Sequence, residues 1–379
     1  MLYLPSEFPQ DKDLCYLNHA AVGPWPRRTA QAVTNFAQQN MTRGATDYPK
    51  WMHVEHRLRE RLAWLIGADN VDDIALVKNT SEGLSIVSQG LTWNNGDQIV
   101  GLTGDFISNQ MPWEVLGEYG VKYLPIDALR SDDPEGALID ALGKKTRLLA
   151  ISTVHFATGY RFDMKRLSKA CRKKGVLLCV DAIQSLGAQR FNLQDTPADF
   201  VTAGGHKWLL SPEGLGFFYC RAELREQLSL HQFGWAMRDN TYAFESTSWH
   251  LAESAKRFEP GTPNMMGIHA LEASLSLFEE IGFDFIEERL ADNMLILEQA
   301  LKAIPDVELI TPTDPSKRTG IMTFRHPAAA PEQLYPALME AGVICAARGG
   351  GVRLAPHFYT PQGVIERAVE TIRQLIQTL

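Results

Sequence analysis

The run VLLCVD, residues 176–181, holds five apolar residues in succession and then an acid. A strand buried on both faces shows no polar alternation, which is the habit of parallel sheets covered by helices on each side. Its acidic tip falls at the carboxyl end of the strand, where open α/β sheets place their ligands. Upstream, IALV (74–77), QIVGL (98–102), VKYLPI (121–126) and RLLAIS (147–152) repeat the short apolar run, and stretches of helical length start at Ser81, Gln110, Glu135 and Asp163. This alternation predicts an α/β fold: a large domain with a mostly parallel sheet flanked by helices. Downstream, ADFVTAGGHKWLLSPEGLGFFYC (198–220) supplies two further strands around a glycine-rich turn. The pattern then changes to long helices at about 265–281 and 283–303 and scattered strands near 306–310, 320–325 and 343–347, which predicts a smaller α+β C-terminal domain. FEPGTPN (258–264) breaks both periodicities, so the large domain is expected over 15–260 and the small one over 1–14 with 261–379.

The 379 residues suffice for two or three domains at roughly 150 residues each. With 45% hydrophobic and 22% charged residues the composition is that of a soluble globular protein, and no apolar run reaches the roughly 20 residues of a membrane span. The opening MLYLPSEFPQDKD lacks the features of an export signal, so a cytoplasmic location is expected. Lysine and arginine number 37 against 45 acids, a net charge of −8 without blocks of like charge, which makes nucleic acid a poor partner. The five cysteines, at 15, 171, 179, 220 and 345, form no C-x-x-C pair and read as reduced, mostly buried thiols. HVEH (53–56) lacks further ligands nearby and reads as a solvated helix face, so no metal site is expected.

Five local signals carry chemistry. Lys207 lies in a glycine-flanked turn, GGHKW, between two strand-like runs. Asp181 at the tip of a buried strand can pair with a protonated ring nitrogen held above the sheet, the pairing that a pyridoxal phosphate site requires. In KNTSEGLSIV, Thr80 and Ser81 stand at the start of a helix, where free N–H groups and hydroxyls bind phosphate. Phe106 in DFISNQMPW follows a strand end and can lie flat on an aromatic ring, and Arg353 in GGGVRLAPHFY can hold a carboxylate by two parallel hydrogen bonds. Each has an ordinary reading as well: a solvated lysine, a strand-end acid, a helix cap, a core ring, a surface ion pair.

Together, and in this order, NHAA, TSEG, VDAIQSLGA, GGHKW, EPGTPN and a late arginine resemble the class V aminotransferase and cysteine desulfurase family of fold type I pyridoxal phosphate-dependent enzymes, from YLNHAAVGP (16–24) to VRLAPHFYT (352–360). The resemblance implies pyridoxal 5'-phosphate as cofactor, bound to Lys207 as a Schiff base. Asp181 would pair with the pyridine nitrogen, Gln184 would bond the ring's phenolic oxygen, and Phe106 would stack on the ring. Thr80, Ser81 and His206 would hold the phosphate. Thr262 would reach the phosphate of the neighbouring subunit, which implies a homodimer with two shared sites. Arg353 would anchor the substrate carboxylate, with His19 to Ala21 lining the substrate side.

Three departures set the chain apart from the desulfurases. Its only late cysteine, Cys345, ends the apolar run GVIC eight residues before Arg353 (353 − 345 = 8) and reads as a strand thiol. Phe106 stands where desulfurases have a proton-exchanging histidine. Gly204 stands three residues before Lys207, where they have a phosphate-binding hydroxyl; Thr202 is the expected substitute. The reading is therefore an amino-acid-transforming enzyme of the aminotransferase type. A cysteine desulfurase or other carbon–sulfur lyase remains the alternative, as does an isopenicillin N epimerase-like enzyme with His19 as acid/base. Arg348, His357 and Tyr359 either select a second acidic group on the substrate or support the Arg353 strand. A nicotinamide dehydrogenase is disfavoured, since GGGVR lacks the strand–turn–helix context of a dinucleotide fingerprint.

Overall fold

In chain order the strands of the computed structural model are β1 (Cys15–Tyr16), β2 (Ile74–Val77), β3 (Gln98–Leu102), β4 (Lys122–Ile126), β5 (Thr146–Ser152), β6 (Leu177–Asp181), β7 (Phe200–Gly204), β8 (Gly216–Cys220), β9 (Glu308–Leu309), β10 (Met322–Arg325), β11 (Val343–Ile344), β12 (Ala346–Arg348) and β13 (Gly351–Leu354). The helices are α1 (Leu4–Glu7), α2 (Arg27–Arg43), α3 (Tyr48–Ile66), α4 (Thr80–Gly90), α5 (Met111–Glu114), α6 (Pro134–Ala141), α7 (Met164–Lys174), α8 (Met265–Ile281), α9 (Phe283–Lys302), α10 (Pro331–Glu340) and α11 (Gln362–Thr378). The structure describes residues 4–245 and 248–378; residues 1–3 of the expected N-terminal piece lie outside them.

Seven strands form the main sheet in the order β2-β8-β7-β6-β5-β3-β4, and only β8 runs against its neighbours. The expected mostly parallel α/β sheet is what the chain builds, with β6 at its centre. Because successive side chains alternate faces, Leu178 and Val180 enter one core with Leu58, Leu62 and Ile66 of α3 and Leu271 and Leu275 of α8. Cys179 enters the opposite core with Leu84 and Val87 of α4 and with Trp113. From β3 the chain first adds β4 on one side and then β5 on the other, so the connections after β3 and β5 diverge and leave a crevice at their carboxyl ends.

Helix starts follow local chemistry. Asn79, Asp163 and Asn264 accept hydrogen bonds from Glu82, Arg166 and Gly267 N–H at the first turns of α4, α7 and α8. The helix expected from Gln110 is a correction: α5 is a single turn flanked by 3₁₀ turns at Ile107–Asn109 and Val115–Tyr119. Gly117 weakens any continuation and Gly120, at φ 77°, ends it. α8, although it follows the FEPGTPN break, packs on α2 and α3 and joins the large core.

A further core holds Leu290, Leu297 and Leu301 of α9, Phe324, Leu338, Ile365 and Ile372, around the antiparallel sheet β12-β13-β10-β9. Leu17 and Trp208 belong to it as well. The N-terminal segment enters this core because β1 pairs in parallel with β11, and Asn18 bridges to Ala355.

Candidate active site

The connections leaving β3, β5, β6 and β7 converge with the start of α4. Asp181, the last residue of β6, is 2% exposed, and the one hydrogen bond its carboxylate accepts among the described residues comes from Ile183 N–H at 3.0 Å. Burial pushes this carboxyl up to about 7; nearby Asp105 adds to the rise, while the Ile183 bond and Lys207 oppose it. β7 lies beside β6 with Thr202 opposite Asp181, and Lys207 follows five residues on. Burial lowers the Lys207 ammonium to about 8; Asp181 works against this, and Arg353 and Arg348 add to it. The Lys207 turn is tight, since Leu210, fully buried, holds φ 56° in the left-handed region that branched side chains avoid.

The turn is braced from two sides. Gly23 N–H donates to His206 O at 2.8 Å, and a Cβ on Gly23 would collide with Lys207 O, so only glycine permits this approach. Gly204 N–H donates to Thr80 Oγ1 at 3.0 Å, fixing the first turn of α4 to the end of β7. Because Asn79 caps this helix, Thr80 and Ser81 are not needed as caps. Ser81 Oγ pairs with Ser108 Oγ at 2.9 Å, and half-buried His206 has its basicity lowered by burial and by Lys207.

The Phe106 ring is 40% exposed and lies beneath the amine, with Lys207 Nζ 5.5 Å from its centroid. Phe156, after β5, packs edge-on against it at 5.3 Å. Phe156 O accepts from Arg353 Nη1 at 2.6 Å. Arg353 is 3% exposed, has no ion pair among the described residues and keeps its buried Nε without a partner; the surface ion pair is excluded. Burial, with Arg348 nearby, lowers its guanidinium to about 10. Gln184 is held between Ala20 O, 3.0 Å from Nε2, and Trp208 Nε1, 2.9 Å from Oε1, which leaves one amide N–H uncommitted.

Other expected positions adjoin this cluster with their polar groups committed elsewhere, or stand apart from it. His19 is fully buried, its Nδ1 2.8 Å from Ala355 O and its Nε2 2.7 Å from Tyr359 Oη. The carbonyl requires a donor at Nδ1, so Nε2 accepts, and burial lowers the imidazole to about 4. With both nitrogens occupied, His19 clamps the N-terminal segment to the VRLAPHFYT strand and is not free to line the substrate side or to exchange protons; Ala21, two residues on, is half-buried. Thr202 is also corrected: its hydroxyl donates to Phe217 O at 2.9 Å and faces Gly83, so it does not replace the missing hydroxyl at Gly204. Thr262 is exposed on the surface of the chain. Cys345 is 1% exposed, and burial pushes its thiol up to about 12.

Sequence reasoning missed Asp105 and Phe156. Asp105 is 4% exposed and accepts from Ser152 Oγ (2.8 Å), Asn109 Nδ2 (3.0 Å) and the backbone N–H of Phe106 (2.7 Å), so it orients the ring. Its signal was weaker than that of Asp181, since it stands three residues beyond the end of QIVGL, whereas Asp181 follows VLLCV directly. An under-bonded buried carboxylate, a depressed amine, a ring with an open face and an arginine without a counter-ion together fit a planar cationic heterocycle and an anionic substrate.

A seven-stranded α/β sheet with a lysine and an acid at its carboxyl edge defines a large class of proteins, and the comparisons narrow it. The model of the aminotransferase class-V family matches residues 15–365, and the chain belongs to that family. A probable cysteine desulfurase of Methanothermobacter thermautotrophicus is 29% identical, with 97% of this chain and 96% of that protein covered. The uncharacterized aminotransferase YcbU of Bacillus subtilis is 28% identical over 90% and 89% of the two chains. Among solved structures, C-DES in complex with its reaction product cysteine persulfide, described as a cystine C–S lyase, superposes with a TM-score of 0.90 at 22% identity, covering 97% of this chain and 99% of that one. A C-DES variant with glycine covalently linked to its PLP cofactor gives 0.91 at 21%, covering 97% and 98%. At these identities the two structures establish the shared fold.

Proposed function

We propose that the chain binds pyridoxal 5'-phosphate and acts at the Cα of an amino acid as a transferase of the aminotransferase type. The observation that carries this reading is Asp181, a buried carboxylate accepting one hydrogen bond, set near the depressed amine of Lys207 beside the open face of Phe106. When bound, this cofactor supplies an electron-poor ring able to take up the electron pair of a bond broken at Cα. Asp181 would accept from the ring N–H and hold that nitrogen protonated. Lys207 would tether the cofactor covalently; its lowered proton affinity keeps part of the amine neutral near pH 7, first as nucleophile and then, once displaced, as the base that moves the Cα proton. The uncommitted Gln184 N–H would reach the ring oxygen, and Thr80, Ser81, His206 and the first N–H groups of α4 would hold the phosphate. Arg353 would bind the substrate carboxylate through its free N–H groups, beside Ala21. Exposed Thr262 would complete the phosphate site of a second protomer in a homodimer. Among the described residues no helix is long and apolar enough to cross a membrane.

The relatives named cysteine desulfurases favour a second reading, carbon–sulfur bond cleavage. Since all five cysteines are buried and Cys345 resists ionisation, such chemistry would proceed by elimination, without a thiolate from this chain. An epimerase using His19 is disfavoured by its occupied ring nitrogens.

The test is the protein loaded with pyridoxal phosphate and given a panel of amino acids. Lys207→Ala is expected to lose the visible cofactor band and turnover; turnover near the wild-type rate overturns the assignment. A keto acid with aminated cofactor supports transfer, sulfide from cysteine supports the second reading, and loss of optical activity alone supports an epimerase.

A further inference from the structure

Arg348, His357 and Tyr359 were open as readers of a second acidic group, and their surroundings separate them. His357 is fully buried, with Nε2 3.0 Å from Trp208 O and Nδ1 accepting from Phe358 N–H at 2.9 Å. Tyr359 bonds His19 through its hydroxyl and stacks on Phe8 with centroids 3.5 Å apart. Both are internal supports. Arg348 is exposed, its guanidinium donates only to Ala347 O of its own strand at 2.8 Å, and no carboxylate lies within ion-pair distance among the described residues.

The register places Arg348 over the site. In the antiparallel pair β12–β13, Ala346 lies opposite Arg353 and Arg348 opposite Gly351. Arg348 and Arg353 therefore share one face as diagonal neighbours, with Cα atoms about 7–8 Å apart, and Gly351 puts no side chain between them. The connecting turn, Gly349–Gly350, has φ 59° and 75°, and a Cβ on Gly349 would lie 3.1 Å from Ala157 Cβ. The turn thus rests beside Phe156, the residue that accepts from Arg353 and packs on Phe106. Two cations on one face with no carboxylate between them repel each other, and a ligand with two anionic groups relieves the repulsion. Arg353 is buried and Arg348 lies at the rim, so the inner group would be the α-carboxylate and the outer one the end of the side chain.

We propose that Arg348 binds a second anionic group on the substrate, so that the site selects amino acids with a carboxylate or sulfinate side chain over neutral ones. This rests on the reading of Arg353 as the α-carboxylate anchor. It is tested first without reference to the cofactor: calorimetry of the purified protein with succinate and with propionate, for wild type, Arg348→Gln and Arg348→Lys. Succinate is expected to bind about two- to fivefold more tightly than propionate to wild type, the scale of one rim ion pair, with the preference lost in Arg348→Gln and retained in part by Arg348→Lys. Equal affinities in wild type, or a preference surviving Arg348→Gln, overturn the inference. The second arm compares aspartate, glutamate and cysteine sulfinate with alanine by their effect on the spectrum of the loaded protein. The same loss of preference in Arg348→Gln supports the inference; a neutral amino acid binding as tightly as aspartate overturns it. A protein that takes up no cofactor yet prefers succinate through Arg348 refutes the proposed reaction and leaves the acidic ligand class standing.

Discussion

Raising the pH of the cofactor-free protein through 8 is expected to switch on the reactivity of the Lys207 amine. Burial lowers this group from 10.5 to about 8. At pH 7 about one Lys207 amine in ten is then neutral, against about one in three thousand for an unperturbed lysine, a ratio of about 300 from the difference 10.5 − 8 = 2.5. A small acylating reagent applied in brief pulses across the pH range, followed by mass spectrometry of the Lys207 and Lys78 peptides, reads both profiles in one sample. Lys78 is the internal reference, its side chain being 75% exposed. Restricted access lowers the Lys207 rate equally at every pH, so the midpoint is the quantity to compare. The sign of two variants is fixed as well. Asp181→Asn removes the anion that favours the ammonium and moves the midpoint below 8, whereas Arg348→Gln removes a cation that disfavours it and moves the midpoint up. A wild-type midpoint above 10, or an upward shift in Asp181→Asn, refutes the electrostatic account of the site.

Asp181 is also expected to weaken the cofactor-free fold. Its carboxyl is raised from 3.8 to about 7, so between these values the folded state binds more protons than the unfolded one, and stability falls as pH rises. Asp181→Asn should therefore be more stable than wild type at pH 8, by on the order of 2–4 kcal/mol, with the difference vanishing below pH 4; equal urea midpoints at pH 8 would count against it. Glu259 at the head of the EPGTPN loop receives Arg59 Nη1 and Nη2 at 2.7 and 2.8 Å in a partly buried pair and Leu76 N–H at 2.9 Å in a buried bond. Glu259→Ala strands that cation and that donor and should cost about 3–5 kcal/mol in urea unfolding; a loss under about 1 kcal/mol would mean that the loop is held elsewhere. Gly23→Ala drives a methyl into Lys207 O and should cost about 1–3 kcal/mol and reduce cofactor occupancy after purification; a fully coloured, equally stable variant would show that the lysine turn yields.

The sheet was legible because parallel strands buried on both faces leave continuous apolar runs, and α8 and α9 because their periodicity is long and uninterrupted. Asp181 and Lys207 were visible for the same reason: a charge at the end of an apolar strand is conspicuous. What stayed hidden depends on partners distant in sequence. His19 is a clamp by virtue of Ala355, which lies 336 positions away. The Thr202 hydroxyl is committed to Phe217 O of the neighbouring strand and packs against Gly83, partners that its own stretch of sequence does not name. The burial of Arg353 is a property of the β10–β13 pairing and of Phe156, neither of which a run of glycines before an arginine reveals.

The pairing of Cys15–Tyr16 with Val343–Ile344, and the bridge from Asn18 to Ala355, have a consequence for biosynthesis. The brace that Gly23 gives the lysine turn comes from a segment whose own partners are made more than 300 residues later. The main sheet can close while the chain is still emerging, but the N-terminal segment must wait until residues 343–355 have been made. Maturation of the pocket therefore lags behind closure of the sheet, and a nascent chain arrested before residue 340 would carry the lysine and its acid without the wall that holds them in register.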